Sequence, residues 1–574
     1  MAKLCILPPK STSQQAVLFC TSILLLIAIV LFLFYHVNYS FGYEGDDYVQ
    51  TIVYHIVYKR DVNCFSLTYA VKHYFDLMVT RGYLGYFYCW FFELCNGAIE
   101  TCRMILISLF TTSGFLLFFC LKRRLSLVAA TVGALFYLVY FGKYHAIIAY
   151  NAEAYIFDLV IFIVILSILL SDMRYIIQAI VIGFLLWISL HFYEVLMITL
   201  PIYPLFWVFL RYKEKINWRH LMYAAIPCAV VGVHIFLLSR NPISPIWMRR
   251  CINDQVCVKF SLVKLLLIAF HNGLTTVVGW VHFNTLEKLV ANFFTIDIIE
   301  QPLLLTFLFG LILLSAFFIW LNYKQEKFIA INNKPSRYCI LLIITGAYLA
   351  GFAPIMASVI GLNMPSRLTF LPSLGVAILL AGLIDVCYKY KWLRQILIIL
   401  FFSFSLFEAI GFCDIIRQAQ SADEYDHSII NKMLSLQNVK IENGGSIFLS
   451  LSRHEKTFKN YWTMGPINPS METGVNGVAW IWRAYHLPID TIKYVAAARD
   501  PGISFEPEFG KWFQKNRHLA SSKLYPFVIA DNGQIKAITK IKIVDNFGGI
   551  NKTISTALDE KVTAKQAIVI RFKQ

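Results

Sequence analysis

The sequence predicts a polytopic α-helical membrane protein of about eleven transmembrane helices, followed by a soluble extracytoplasmic α+β domain. Three observations carry that prediction. Hydrophobic residues make up 58% of the 574 and charged residues only 15%, where soluble domains carry about 25% charged. The apolar residues gather into runs of roughly twenty, the length that crosses a bilayer. Finally, every short loop rich in Lys and Arg falls on one side of the membrane, which is how orientation is encoded. The formal net charge of +17 sits largely in those loops, so no nucleic-acid partner is implied, and part of it suits an anionic lipid phosphate.

The first span covers about 16–36. Lys3 and Lys10 ahead of it resemble the start of a signal peptide. The run is long, however, and no convincing small-residue cleavage site follows, so it reads as a retained span with its N-terminus inside. An outer loop of about 37–103 leads to span 2 at about 104–121, which stops at Lys122-Arg123-Arg124, an inside signal. Spans 3 and 4, at about 126–142 and 154–170, go out through Gly142-Lys143-Tyr144-His145 and return to Asp172 and Arg174. The apolar stretch at about 175–210 is too long for one helix and contains His191, Tyr193, Glu194 and Pro201. It reads as a tight hairpin, spans 5 and 6, with its turn outside, ending at Arg211, Lys213, Lys215 and Arg219. Span 7, at about 221–239, opens a second outer loop at about 240–302, and span 8, at about 303–321, returns to Lys324, Lys327, Lys334 and Arg337. Spans 9 and 10, at about 339–361 and 368–387, flank a short outer turn from Asn363 to Arg367. Span 11, at about 395–412, follows Lys389, Lys391 and Arg394 and places the remainder outside.

Residues 1–413 therefore form a membrane module and 414–574 an outer domain. In that domain a helical start at about 423–436 precedes strand-like runs at about 446–451, 526–530, 535–544 and 567–572, with the turn signal Asp531-Asn532-Gly533 between the middle two. The first outer loop holds an amphipathic piece, in which Lys72, His73 and Asp76 interrupt apolar residues at near-helical spacing, and then an almost wholly aromatic one at about 83–92. Such pieces suit the interface plane. The thirteen cysteines form no metal-type Cys-x-x-Cys pair. Cys251 and Cys257 share a loop and are placed to pair if that loop faces an oxidising compartment. No phosphate loop, dinucleotide fingerprint, zinc spacing or internal repeat is present.

Polar residues that suggest chemistry map to the outer ends of spans in four sets: Glu44 with Asp46 and Asp47, His145 through Glu153, His191 with Glu194, and Asn363 through Arg367. Taken singly, each set is more often an interfacial anchor or a satisfied bundle contact, and the Gly- and Asp-rich first set reads as well as a solvated turn. Taken together on one side of the membrane, they fit a reaction on a lipid-linked substrate. The fork of an Arg near the headgroup layer holds two phosphate oxygens at once. Arg249 and Arg250 in the second outer loop are weaker candidates for the same task.

Those patches resemble a family, the GT-C-type integral membrane glycosyltransferases that use polyprenyl-phosphate sugars. The nearest branch includes the transmembrane O-mannosyltransferases and their bacterial relatives. Phe41-Gly-Tyr-Glu44-Gly-Asp46-Asp47-Tyr48 is similar to that branch's Asp-Asp motif after span 1. The stretch led by His145 resembles its approach to span 4, and Leu190-His191-Phe192-Tyr193-Glu194 with Leu200-Pro201 resembles its Lys-Glu…Pro element. Met364-Pro365-Ser366-Arg367-Leu368-Thr369-Phe370-Leu371-Pro372-Ser373-Leu374-Gly375 resembles its Arg-x-x-Tyr-Leu-Pro-Ser-x-Gly element, the most specific of the four. The chain departs in having no Lys beside Glu194, Phe370 for the usual Tyr, and Tyr155 where many members carry Arg. No tetratricopeptide repeats follow the membrane part.

The resemblance implies a GT-C-like fold and a transfer with inversion. A carboxylate in the first outer loop takes the proton from an acceptor hydroxyl, and the oxygen attacks the anomeric carbon as polyprenyl phosphate leaves. By place in the motif Asp46 is the base and Asp47 orients or binds. Arg367 holds the donor phosphate, and Glu44, Glu194, His145 and His191 line the substrate site. The donor lipid is undecaprenyl or dolichyl phosphate, and the acceptor a glycan, lipid or protein. Some members use a divalent cation, Mg or Mn, but no cluster in this sequence demands a metal. A bacterial inner-membrane protein working on the periplasmic face, on cell-envelope glycan such as lipopolysaccharide, fits this reading. Two alternatives stay open: a lipid-linked glycan polymerase or ligase, which would lean more on Arg, and a transporter, which would place charges near the bilayer midplane.

Overall fold

The computed structural model describes residues 13–37; 68, 72, 87, 90, 91, 94 and 95; 99–139; 153–210 apart from 193; 218–239; 302–326; 337–359; 370–405 apart from 388 and 389; and six strands between 445 and 571. These fall into two compact units, one holding the helices and the other the strands.

The helical unit contains α1 (Ser13–Val37), α2 (Ile99–Lys122), α3 (Leu127–Val139), α4 (Glu153–Leu169), α5 (Tyr175–Phe192), a 3-10 helix (Glu194–Thr199), α6 (Ile202–Leu210), α7 (Trp218–Ser239), α8 (Pro302–Glu326), α9 (Arg337–Val359), α10 (Phe370–Val386) and α11 (391–405). Among the described residues three helices are long and apolar enough to cross a membrane, in α1, α2 and α5, and seven further apolar helices are shorter. The outward faces are apolar too. On α5, Ile176, Ile180, Phe184 and Trp187 recur at helical spacing and are all exposed, as are Phe309, Ile312, Leu313 and Phe317 on α8. Water would not tolerate a continuous surface of this kind. The chain is a helical membrane protein.

Close packing starts from small residues, because apolar burial gives helices little reason to associate in lipid. Helix α10 is buried from Leu371 through Ile378, with α9 against it on one side and α3 on another. A Cβ added to Gly346 of α9 would run into the Leu379 amide nitrogen and stand 2.6 Å from the Gly375 carbonyl oxygen. One added to Gly375 would stand 2.6 Å from the Ala350 amide nitrogen, and one on Gly382 2.5 Å from Ile343. The Cys339 thiol, on α9, donates to the Gly382 carbonyl at 3.1 Å. Across the other face Gly133 of α3 lets the Ala377 carbonyl approach.

One end of the unit is knit by polar side chains. The Arg124 guanidinium donates to the Leu170 carbonyl at 2.9 Å and to Asp172 at 2.7 Å, and lies over the Tyr338 ring. It thereby ties the α2–α3 and α4–α5 connections to the start of α9. Ser126 caps α3, and its own amide is held by Asp385 of α10 at 2.9 Å. Lys122 sits over Phe19 near the start of α1. Gln178, fully buried, donates its amide nitrogen to the Ile168 carbonyl in the last turn of α4 at 3.0 Å and accepts the Trp207 indole N–H at 2.9 Å. That bond brings the end of α6 back to the start of α5, so the two form a hairpin. The basic connections therefore gather at one end, the basic end, and helix direction fixes the opposite, far end.

Two boundaries differ from the sequence expectation. The first outer loop does not run to Arg103: α2 begins at Ile99, and Arg103 lies inside it, 2% exposed. Hydropathy marks only the apolar part of a helix, while α2 continues through Glu100, Thr101 and Arg103. The second arm of the hairpin is also not one helix. A 3-10 turn precedes α6, and Pro201, which has no N–H, stands between them.

The second unit is a six-stranded sheet of order β2-β1-β3-β4-β5, with β6 also on β4. Its strands are β1 (Gly445–Ser450), β2 (Ile492–Ala498), β3 (Leu524–Ile529), β4 (Ile535–Val544), β5 (Asn551–Ser555) and β6 (Ala564–Arg571). Strand β1 is parallel to both β2 and β3, and β3 turns back antiparallel into β4 with Ile529 opposite Ile535. In β4 Ile535, Ala537, Ile541 and Ile543 share one face, while Lys536, Lys540 and Lys542 share the other with Ile538 and Val544. Strands β2 and β5 were not expected. Three alanines end β2 and Asn551 and Lys552 open β5, residue types depleted in strands, so neither run stands out as a strand from sequence. The expected helix at about 423–436 lies outside the described residues.

Candidate functional site

The described helix ends that border the four motif segments lie at the far end of the helical unit. Helix α1 starts at the basic end, near Lys122, and finishes at Val37, so the chain toward Glu44, Asp46 and Asp47 leaves from the far end. Helix α4 begins there with Glu153, and α5 ends there with His191 and Phe192. Helix α9 runs from Tyr338 at the basic end to Val359, and α10 returns from Phe370 to Asp385, so the two helix ends that border 360–369 are both at the far end. Glu44, Asp46, Asp47, His145, Arg249, Arg250 and Arg367 themselves lie outside the described residues, as do Cys251 and Cys257. Glu194 opens the 3-10 helix.

His191 is half-buried, with Nδ1 2.6 Å from the Trp187 carbonyl oxygen and its ring edge-on to the Trp187 indole at 4.7 Å. These contacts place it on the stripe of α5 that also carries exposed Phe184 and Trp187. The buried side of the same turn carries different chemistry. Ser189 is fully buried and donates its hydroxyl to Oδ1 of Asp158 on α4 at 2.7 Å, and Asp158 is itself fully buried. A carboxylate inside a membrane bundle is costly and is a functional candidate by default. Asp158 was not among the residues expected from sequence, although one ionisable residue in an apolar run was the available signal. Arg103 is a second buried ionisable residue at this end.

Above Asp158 and Ser189 lies an aromatic cluster that ties the segment between α1 and α2 to the bundle. Phe157 stacks on Phe192 at 5.4 Å, and Phe87 of that segment meets both edge-on, at 5.2 and 4.7 Å. Phe91 adds a further contact to Phe157. Such pairs contribute about 0.5–1.5 kcal/mol each beyond their burial. The segment is also held covalently, by a disulfide between Cys95 and Cys102 at the start of α2, with Cα atoms 5.3 Å apart. On the other side, the Tyr348 hydroxyl of α9 donates to the Ile198 carbonyl in the 3-10 helix at 2.8 Å. Thr199 and Tyr203 share a hydrogen bond that joins the same turn to α6.

Among the described residues no three His, Cys, Asp or Glu side chains converge as metal ligands do. In comparisons with known proteins, no family model matches the chain and no curated protein matches it.

Proposed function

We propose that the chain is an inverting glycosyltransferase with a GT-C-like membrane module of about eleven spans. It moves a sugar from a polyprenyl phosphate to an extracytoplasmic glycan, lipid or protein. The observation that carries this reading is that the helices leading into all four motif segments end together, away from the basic loops. In this reading the basic end faces the cytoplasm. The far end faces an oxidising space, in a bacterium the periplasm, which suits the Cys95–Cys102 disulfide there. Asp46 takes the acceptor proton and Arg367 pairs with the donor phosphate, which leaves as the glycosidic bond forms.

The test is sugar transfer by the purified full-length protein from a panel of undecaprenyl-phosphate sugars, with nucleotide sugars as controls. Transfer is expected from one or more lipid donors and from no nucleotide sugar. Arg367→Ala is expected to raise the donor KM by roughly tenfold or more, the loss of one charge-assisted contact. Transfer from nucleotide sugars, or an Arg367→Ala variant with wild-type KM, contradicts the assignment.

A further inference from the structure

We infer that Asp158 is a positioning residue of the far-end site: through Ser189 it fixes the end of α5, and with it the 3-10 turn that begins at Glu194. The place of the site rests on the glycosyltransferase reading; the mechanical tie does not. Asp158 lies roughly 7 Å in from the first residue of α4, and Ser189 roughly 4 Å in from the last residue of α5. The hydrogen bond therefore clamps the two helices just below the point where α5 gives way to Glu194–Thr199. The other side of that turn is held by α9 through the Tyr348 bond to Ile198, and α9 is the helix that leads toward Arg367. One short segment is thus pinned between α4–α5 and α9.

A general packing role is the competing explanation, since interhelical hydrogen bonds in membranes commonly act as simple adhesive. That role does not need an acceptor oxygen at 158, because an apolar side chain of similar volume often packs as well as or better than a buried polar group. It also predicts that loosening spreads along α4 and α5, whereas losing a clamp at the end of α5 frees the 3-10 turn beyond it. The acceptor oxygen is the feature the clamp requires, so Asn, which keeps one, preserves it and Leu does not.

The experiment is hydrogen exchange read by mass spectrometry on the full-length protein in lipid nanodiscs, comparing wild type with Asp158→Asn, Asp158→Leu and Ser189→Ala. Sugar transfer from the lipid-donor panel is measured on the same samples. Exchange across 194–199 is expected to rise roughly tenfold or more in Asp158→Leu and Ser189→Ala, consistent with local rather than global opening. Asp158→Asn stays near wild type, and the interiors of α4 and α5 stay protected. Transfer falls in the same two variants through kcat, with donor KM unchanged. Ser189→Ala removes one oxygen and keeps the comparison readable if Asp158→Leu fails to fold. Wild-type exchange across 194–199 in Ser189→Ala overturns the inference whatever the activity, as does loosening spread evenly over α4 and α5. A wild-type protein that transfers from no donor, yet shows the expected exchange pattern, overturns the transferase reading and upholds the clamp.

Discussion

Asp46→Asn is expected to slow sugar transfer by about 10²–10⁴-fold while leaving the donor KM close to wild type. The amide keeps the size and most of the hydrogen-bonding shape of the carboxylate but cannot accept the proton that the acceptor hydroxyl must lose. A loss confined to kcat is the signature of a removed general base. Asp47→Asn is expected to act differently, because neighbouring residues point roughly 100° apart on a helix and diverge in loops as well. Its effect falls on binding or orientation, through KM or a smaller drop in kcat. The check is steady-state transfer from a polyprenyl-phosphate sugar by both variants, with folding verified by thermal unfolding. Full turnover in both removes the proposed base.

Gly346→Val is expected to have the largest effect on folding, roughly 3 kcal/mol or more, at or above the upper range for overpacking. The added carbons meet backbone rather than a flexible side-chain tip. The Leu379 amide and the Gly375 carbonyl both lie where the new Cβ would go, so α9 and α10 must separate. Gly310→Ala in α8 is the control: nothing lies within 4 Å of its added Cβ. There the better helix propensity of Ala contributes up to about 1 kcal/mol in favour of folding. Thermal unfolding in detergent should show a large fall for the first variant and none for the second. Equal behaviour of the two would mean that α9 and α10 do not pack through these glycines.

The helices were the readable part of the sequence, because length and hydropathy alone demand them. The run at about 368–387 is α10, and that at about 339–361 is α9, each to within a few residues. The gathering of Arg124, Tyr338, Asp385 and Arg394 at one end follows from the same alternation of basic loops. The hidden part depends on how helices are rotated against one another. Asp158 and Ser189 are single polar residues in apolar runs, and no one-dimensional pattern says that both turn inward to meet. His191 looks like the more chemical residue of that turn, yet it lies on the exposed stripe beside Trp187. The Cys95–Cys102 pairing was equally hidden, since thirteen cysteines allow many partners. Phe87 and Phe91 stand out in sequence as part of an aromatic run, but not as the residues that dock on Phe157 and Phe192.

The most direct measurement is an experimental structure of the full-length protein in nanodiscs with a polyprenyl phosphate bound. The account predicts the lipid phosphate against the Arg367 guanidinium, in a chamber at the far end that the Asp46 carboxylate also faces. A phosphate bound elsewhere, or Asp46 and Arg367 in separate surroundings with no cleft joining them, would contradict it.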